Sequence, residues 1–129
     1  MRVEQLNEEG WAKTYLIANE SSGEACLIDP VYDFTQRYLE IIENQGLVLK
    51  YAIATHTHAD HITGCFTLRK KTGCEYVMWK ATASLGVSKY VDENSSLNFD
   101  AESIKFHHVP GHTADSMLVE VGGHIFTGD

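Results

Sequence analysis

The apolar residues of this chain fall first into short runs with a strand-like period. "RVEQL", "TYLIAN" and "ACLIDP" each predict a strand; the turn "ESSGE" joins the second to the third as a hairpin, and Pro30, which has no N–H for a sheet ladder, ends the third. The period then changes. Phe34, Tyr38, Leu39, Ile41 and Ile42 recur at helical spacing after Asp33, with Gln36 three residues on in a capping-box arrangement and Gly46 placed to stop the helix. "LVLKYAIAT" is apolar almost throughout and predicts an interior strand, "DHITGCFTLRKKTG" a helix carrying Phe66 and Leu68 and closing at Gly73, and "CEYVMW" another strand. Residues 80–100 are weakly patterned and predict a loop with one helical turn at most. After them "SIKFHHV" and "SMLVEV" alternate about the turn "PGHT", "GG" signals a tight hairpin, and "HIFTGD" is a last strand. Strands, helix, strand, helix, then strands, without a repeat, predict part of a mixed α/β sandwich.

Composition narrows the class. With 129 residues and 43% hydrophobic content the chain suits one globular unit. No apolar run approaches the roughly 20 residues that span a bilayer, and "MRVEQLNEEGWAK" has neither a signal-peptide core nor the Arg/Ser-rich character of a transit peptide. The expectation is a cytoplasmic protein without a membrane partner. A net charge of -8 repels polyanions, so nucleic acid is excluded as a partner and an anionic substrate needs a local positive centre. A divalent metal could supply one. Cys26, Cys65 and Cys74 are odd in number and have no Cys-x-x-Cys spacing, as expected of reduced thiols rather than a disulfide scaffold or a cysteine-rich zinc site.

The chemistry gathers where "LVLKYAIAT" ends. In "IATHTHADHITG", His56, His58, Asp60 and His61 occupy six positions. Buried imidazoles need hydrogen-bonding partners and a buried carboxylate needs a cation, so four such groups together call for something to organise them, and a metal ion is the simplest candidate. Histidines at i and i+2 on extended backbone point the same way, and the Asp-His pair can curl back at a loop-to-helix junction. Ligands collect beyond strand C-termini in layered α/β architectures, which is where this cluster falls. Two later residues join the candidates. His112 sits in the turn "PGHT" and Asp129 in "FTGD", where Gly128 lets the chain bend after a strand.

"THTHADH", then "GHT", then "FTGD", in that order and at comparable spacing, resembles the metallo-β-lactamase fold superfamily. Together with "TYLIA", "EACLIDPV" and "ATHTHADHITG", the chain looks most like the persulfide dioxygenases and next most like the glyoxalase II thioester hydrolases, over about residues 3–129. The resemblance implies a mixed αββα sandwich with metal at the sheet edge. By similarity to persulfide dioxygenases, His56, His112 and Asp129 would hold one Fe(II), leaving three positions for water, the persulfide sulfur and O2, with His58, Asp60 and His61 orienting the ligands. Two imidazoles and one carboxylate do form the facial triad of non-haem iron oxygenases. The implied activity is oxidation of glutathione persulfide, or a similar small persulfide, to sulfite and the thiol. By similarity to glyoxalase II, His56, His58 and His112 would bind one of two Zn(II) ions, Asp60 and His61 the other, and Asp129 would bridge them to hydrolyse a glutathione thioester.

Ile62-Thr63-Gly64 follows the cluster in the dioxygenase-like form, where glyoxalase II proteins usually carry two glycines. Superfamily members continue well past the "GD" aspartate, so the chain is expected to be the N-terminal portion of one domain over 1–129, its C-terminal part missing or supplied by another polypeptide; alone, it could be a non-catalytic metal-binding fragment. The resemblance admits a homodimer and a fused or associated sulfurtransferase domain as partners. Cys65 is expected to be a small buried hydrophobe at a helix start, Cys26 and Cys74 core residues, and His107 and His108 to lie on opposite faces of an alternating strand. His124 is expected in solvent, Trp11 and Trp79 in the core or at an edge, and Lys70 and Lys71 at the favourable end of a helix dipole.

Overall fold

The structure is a computed structural model that describes residues 1–7, 13–57, 63–109 and 113–127. Within them, strands β1 (Arg2–Gln5), β2 (Tyr15–Asn19), β3 (Glu24–Ile28), β4 (Val48–Ile53), β5 (Glu75–Trp79) and β6 (Lys89–Val91) form a six-stranded sheet in that order. β1 to β3 pair antiparallel, and β3 to β6 run parallel. Parallel neighbours need crossovers, and helices α1 (Thr35–Asn44) and α2 (Cys65–Thr72) provide the first two. A second sheet of β7 (Ser96–Phe99), β8 (Glu102–His108), β9 (Met117–Val121) and β10 (His124–Phe126) is antiparallel, in the order β10-β9-β8-β7.

The period of two sorts side chains between two cores. Along β3, Cys26 and Ile28 face the second sheet while Ala25 and Leu27 face the helices; along β4, Tyr51 and Ile53 do the first and Ala52 the second, and Leu49 joins the helix side because the β3–β4 register shifts by one residue between the Ala25–Leu49 and Cys26–Tyr51 pairs; along β5, Val77 and Trp79 oppose Tyr76 and Met78. Both faces of these strands are covered, which is why they read as continuous apolar runs. The second sheet closes the inter-sheet core with Leu97, Phe99, Ile104, Phe106, Met117, Val119, Val121 and Phe126. Tyr38 and Ile42 of α1 and Cys65 and Leu68 of α2 pack on the other face. Among the described residues, then, the layers run helix, sheet, sheet.

Several expectations needed correction. Asp33 does not cap α1: Tyr32–Phe34 form a 3-10 turn, Phe34 stands at the N-cap without a side-chain bond, and Thr35 Oγ1 instead donates to the Tyr32 carbonyl at 2.7 Å. The second helix begins only at Cys65, because Thr63 is held in a bridge with Val31 and Gly64 N–H bonds to the Pro30 carbonyl. Residues 80–100 hold two strands rather than a loop. β6 is recruited by pairing with β5, and Leu97 and Phe99 of β7 by burial in the inter-sheet core, so tertiary partners override a weak local pattern. The "GG" hairpin is present: Gly122 and Gly123 have φ of 55° and 80°, the two positive values that a type I′ turn requires. Trp11 lies outside the described residues.

Candidate functional site

β4 ends at Ile53, and Thr55, His56 and Thr57 follow it beside the start of β9 in the second sheet. The backbone is bound on both sides there: Met117 N–H, at the start of β9, donates to the Thr55 carbonyl at 2.9 Å, and Ala54 N–H to Val77 at 3.1 Å. His56 is buried, 5% exposed. Of the six residues expected from sequence, His56 is described; His58, Asp60, His61, His112 and Asp129 lie outside the described residues, and among those described no three His, Cys, Asp or Glu side chains converge on a common point.

Asp29, one residue beyond β3, orients His56 through Thr55. Its carboxylate accepts Thr55 N–H at Oδ1 (2.8 Å) and the Thr55 hydroxyl at Oδ2 (2.6 Å). That hydroxyl proton is thereby committed, so Thr55 Oγ1 serves as acceptor for His56 Nδ1–H at 2.9 Å, the arrangement that in a neutral imidazole leaves the lone pair on Nε2. A histidine held in one tautomer by a carboxylate-backed partner is the form a metal ligand takes. The donor chemistry therefore fits a metal at His56. Asp29 itself is held in the left-handed region, φ 54°, with its N–H on the Ile53 carbonyl and its own carbonyl accepting from buried Thr14. Thr14 in turn contacts Tyr38 of α1 and Asn7, so the helix-side core is tied to the Asp29 backbone.

Thr57 is tied in the same manner from the opposite sheet. Asp115, 5% exposed, accepts Thr57 N–H at Oδ1 (3.0 Å), the Thr57 hydroxyl at Oδ2, Thr113 Oγ1 at Oδ1 (2.5 Å) and Thr82 Oγ1 at Oδ2 (2.8 Å). Burial pushes this carboxyl up, but the donors from Thr113, Thr57 and Thr82 outweigh it and hold it at about 2. The loop between β8 and β9, which carries His112, is closed at its base by Val109 N–H on the Ser116 carbonyl at 3.0 Å.

The remaining histidines are placed elsewhere. His108 stacks on Trp79, ring centroids 4.7 Å apart, and its Nε2–H donates to the Ala114 carbonyl at 2.9 Å, bracing the same loop. His107 is exposed and faces Glu120 at 2.8 Å, and exposed His124 bonds the Gly122 carbonyl. Cys26, Cys65 and Cys74 are free and buried, and burial raises all three thiols above their ordinary range. Sequence reasoning missed Asp29, Thr55, Thr57 and Asp115 as site-shaping residues. Threonine on either side of His56 in "THT" was the available signal, but its carboxylate partners lie 26 and 58 residues away.

A cleft of about 280 Å³ is lined by Val3, Lys13, Tyr15, His124, Ile125, Phe126 and Thr127. Tyr15 pairs with Ile28, the residue before Asp29, so the cleft lies toward the end of the six-stranded sheet where His56 sits.

Residues 25–127 match the family model described as the beta-lactamase superfamily domain. The chain is similar to the mitochondrial persulfide dioxygenase ETHE1 of Bos taurus, 36% identical over 119 residues that cover 90% of this chain and 46% of that protein. It is also similar to the hydroxyacylglutathione hydrolase of Pelagibacter ubique, 28% identical over 120 residues that cover 90% and 49%. The crystal structure of ETHE1 from Myxococcus xanthus superposes with a TM-score of 0.91 at 34% identity, over 98% of this chain and 56% of that one. The chain thus spans about half the length of the curated relatives it matches.

Proposed function

This chain belongs to the beta-lactamase superfamily, and from that premise we propose that it is the metal-binding part of a persulfide dioxygenase domain, acting on glutathione persulfide or a similar small persulfide. What carries the reading is the likeness to persulfide dioxygenase, 36% identity against 28% for the hydroxyacylglutathione hydrolase over the same share of the chain. The net reaction takes a persulfide, O2 and one water to a thiol, sulfite and two protons. His56, His112 and Asp129 would hold one Fe(II), two imidazoles and a carboxylate being the donor set that non-haem iron oxygenases use, and His58, Asp60 and His61 would orient those ligands. The iron, when bound, supplies the redox chemistry that joins dioxygen to the outer sulfur. The chain's own contribution is orientation: Asp29, through Thr55, keeps the His56 lone pair on Nε2. Lys13, lining the neighbouring cleft of an otherwise acidic chain, suits a carboxylate-bearing thiol carrier. A cytoplasmic, reducing setting belongs to the same reading and fits three buried free thiols.

The likeness to hydroxyacylglutathione hydrolase supports a second reading, a two-zinc hydrolase of glutathione thioesters, with His56, His58 and His112 on one ion, Asp60 and His61 on the other and Asp129 bridging. The two are separated by elemental analysis of the native polypeptide, purified without oxygen, with oxygen uptake on glutathione persulfide measured on the same sample. About one iron per chain and oxygen uptake that is lost on His112→Ala is the expected result. About two zincs with thioester cleavage and no oxygen uptake would overturn it. Bound metal with neither activity would make the chain a non-catalytic metal-binding fragment.

A further inference from the structure

The two threonines flanking His56 are gripped alike by carboxylates from opposite sheets. Asp29, after β3 of the six-stranded sheet, takes the N–H and hydroxyl of Thr55, and Asp115, before β9 of the four-stranded sheet, takes the N–H and hydroxyl of Thr57. We propose that Asp115 is a positioning residue for the candidate metal centre: it locks the segment carrying His56 to the loop carrying His112, so that the ligands are set before metal arrives. This inference rests on the proposed metal-binding function and deepens it.

The coordination of Asp115 argues against simpler roles. A carboxylate offers about four lone-pair positions, and Thr57 N–H, Thr57 Oγ1, Thr113 Oγ1 and Thr82 Oγ1 occupy four. Asp115 therefore has no lone pair left for a metal and is not itself a ligand. Its donors come from three segments: Thr57 beyond β4, Thr82 beyond β5, and Thr113, the residue after His112. Thr57 is adjacent in sequence to both His56 and His58. A brace needed only to close the β8 to β9 loop would not have to reach them, because Val109 and Ser116 already pair at its base and His108 already bonds Ala114. Fixing the groups around a metal in advance leaves less ordering to be done on binding, and loss of such supporting contacts weakens metal affinity.

The test uses the metal-free native polypeptide titrated with Co(II) under anaerobic conditions, alongside amide exchange at Thr57 without metal. Asp115→Ala is expected to weaken Co(II) binding by about 10- to 100-fold and to speed exchange at Thr57, whereas Asp115→Asn, which keeps the shape and a carbonyl acceptor while the hydroxyls turn to suit, is expected to bind within about threefold of the unsubstituted protein. Should Asp115→Ala not fold, Thr57→Val removes the hydroxyl arm alone and is expected to weaken binding about threefold. Unchanged affinity in the variant that folds would overturn the inference, whatever happens to its melting temperature. Asp115→Asn as damaging as Asp115→Ala would also overturn it, by making charge rather than geometry the cause. If the unsubstituted protein itself fails to bind Co(II), the proposed function falls and takes this inference with it.

Discussion

A single carboxylate held by four donors has a pH signature. Asp115 lies at about 2 in the folded protein, against an ordinary value of 3.8. A carboxyl depressed on folding adds stability that is complete above the unfolded value and is lost as pH falls through the folded one, here between about pH 4 and pH 2. The span is worth roughly 2 kcal/mol at about 1.4 kcal/mol per pH unit. Urea unfolding of the native protein and of Asp115→Asn should therefore show a stability gap that is constant from pH 7 to 4 and shrinks by about 2 kcal/mol at pH 2. A gap independent of pH over that range would mean that the hydrogen bonds to Asp115 do not favour its charged form. At this scale the sequence singles out a candidate stretch but not its supports. "THTHADH" is recognisable as candidate ligand chemistry because the residues are adjacent, whereas the grip of Asp29 on Thr55 joins positions 26 apart and leaves no periodic trace.

The elements follow from period and punctuation wherever both are strong. α2 ends where Gly73 enters the left-handed region, φ 79°, and its N–H bonds the Arg69 carbonyl. Among the described residues no heavy atom beyond its chain neighbours lies within 4 Å of where a Cβ would stand, so Gly73→Ala isolates the backbone cost from any clash. A loss of about 1 kcal/mol in urea unfolding is expected, and no loss would mean that the helix end shifts to a right-handed conformation. β2 to β5 were legible as apolar runs because helices and a second sheet cover both their faces. β6 and β7 were not: three and four residues long, with polar neighbours, they are strands because β5 and β8 offer open edges for pairing.

For the molecule as a whole, the two cores should open together. Cys26 belongs to the inter-sheet core, and Cys65 and Cys74 to the helix-side core, all three at most 3% exposed. Burial raises their thiols, so little reactive thiolate is present at neutral pH. A thiol reagent should find no fast-reacting group among these cysteines in the native protein, and all three should become reactive in one transition that coincides with loss of secondary structure in urea. Reaction of Cys65 and Cys74 ahead of Cys26 would show instead that the helical layer separates from the sheets as its own unit.

What the amino-acid sequence determined by itself is local: alternating apolar runs for most of the strands, Gly46 and Gly73 as helix stops, the Gly122-Gly123 hairpin, and a histidine cluster at the end of β4. These depend on neighbours two to four residues apart, so the pattern carries them. The tertiary structure alone decided that α1 opens without a side-chain cap, that residues 80–100 contribute strands to both sheets, and that carboxylates from opposite sheets hold the threonines on either side of His56. Each of these depends on which segments meet across the sandwich, and hydrogen bonds between residues tens of positions apart form only once burial has brought their strands together.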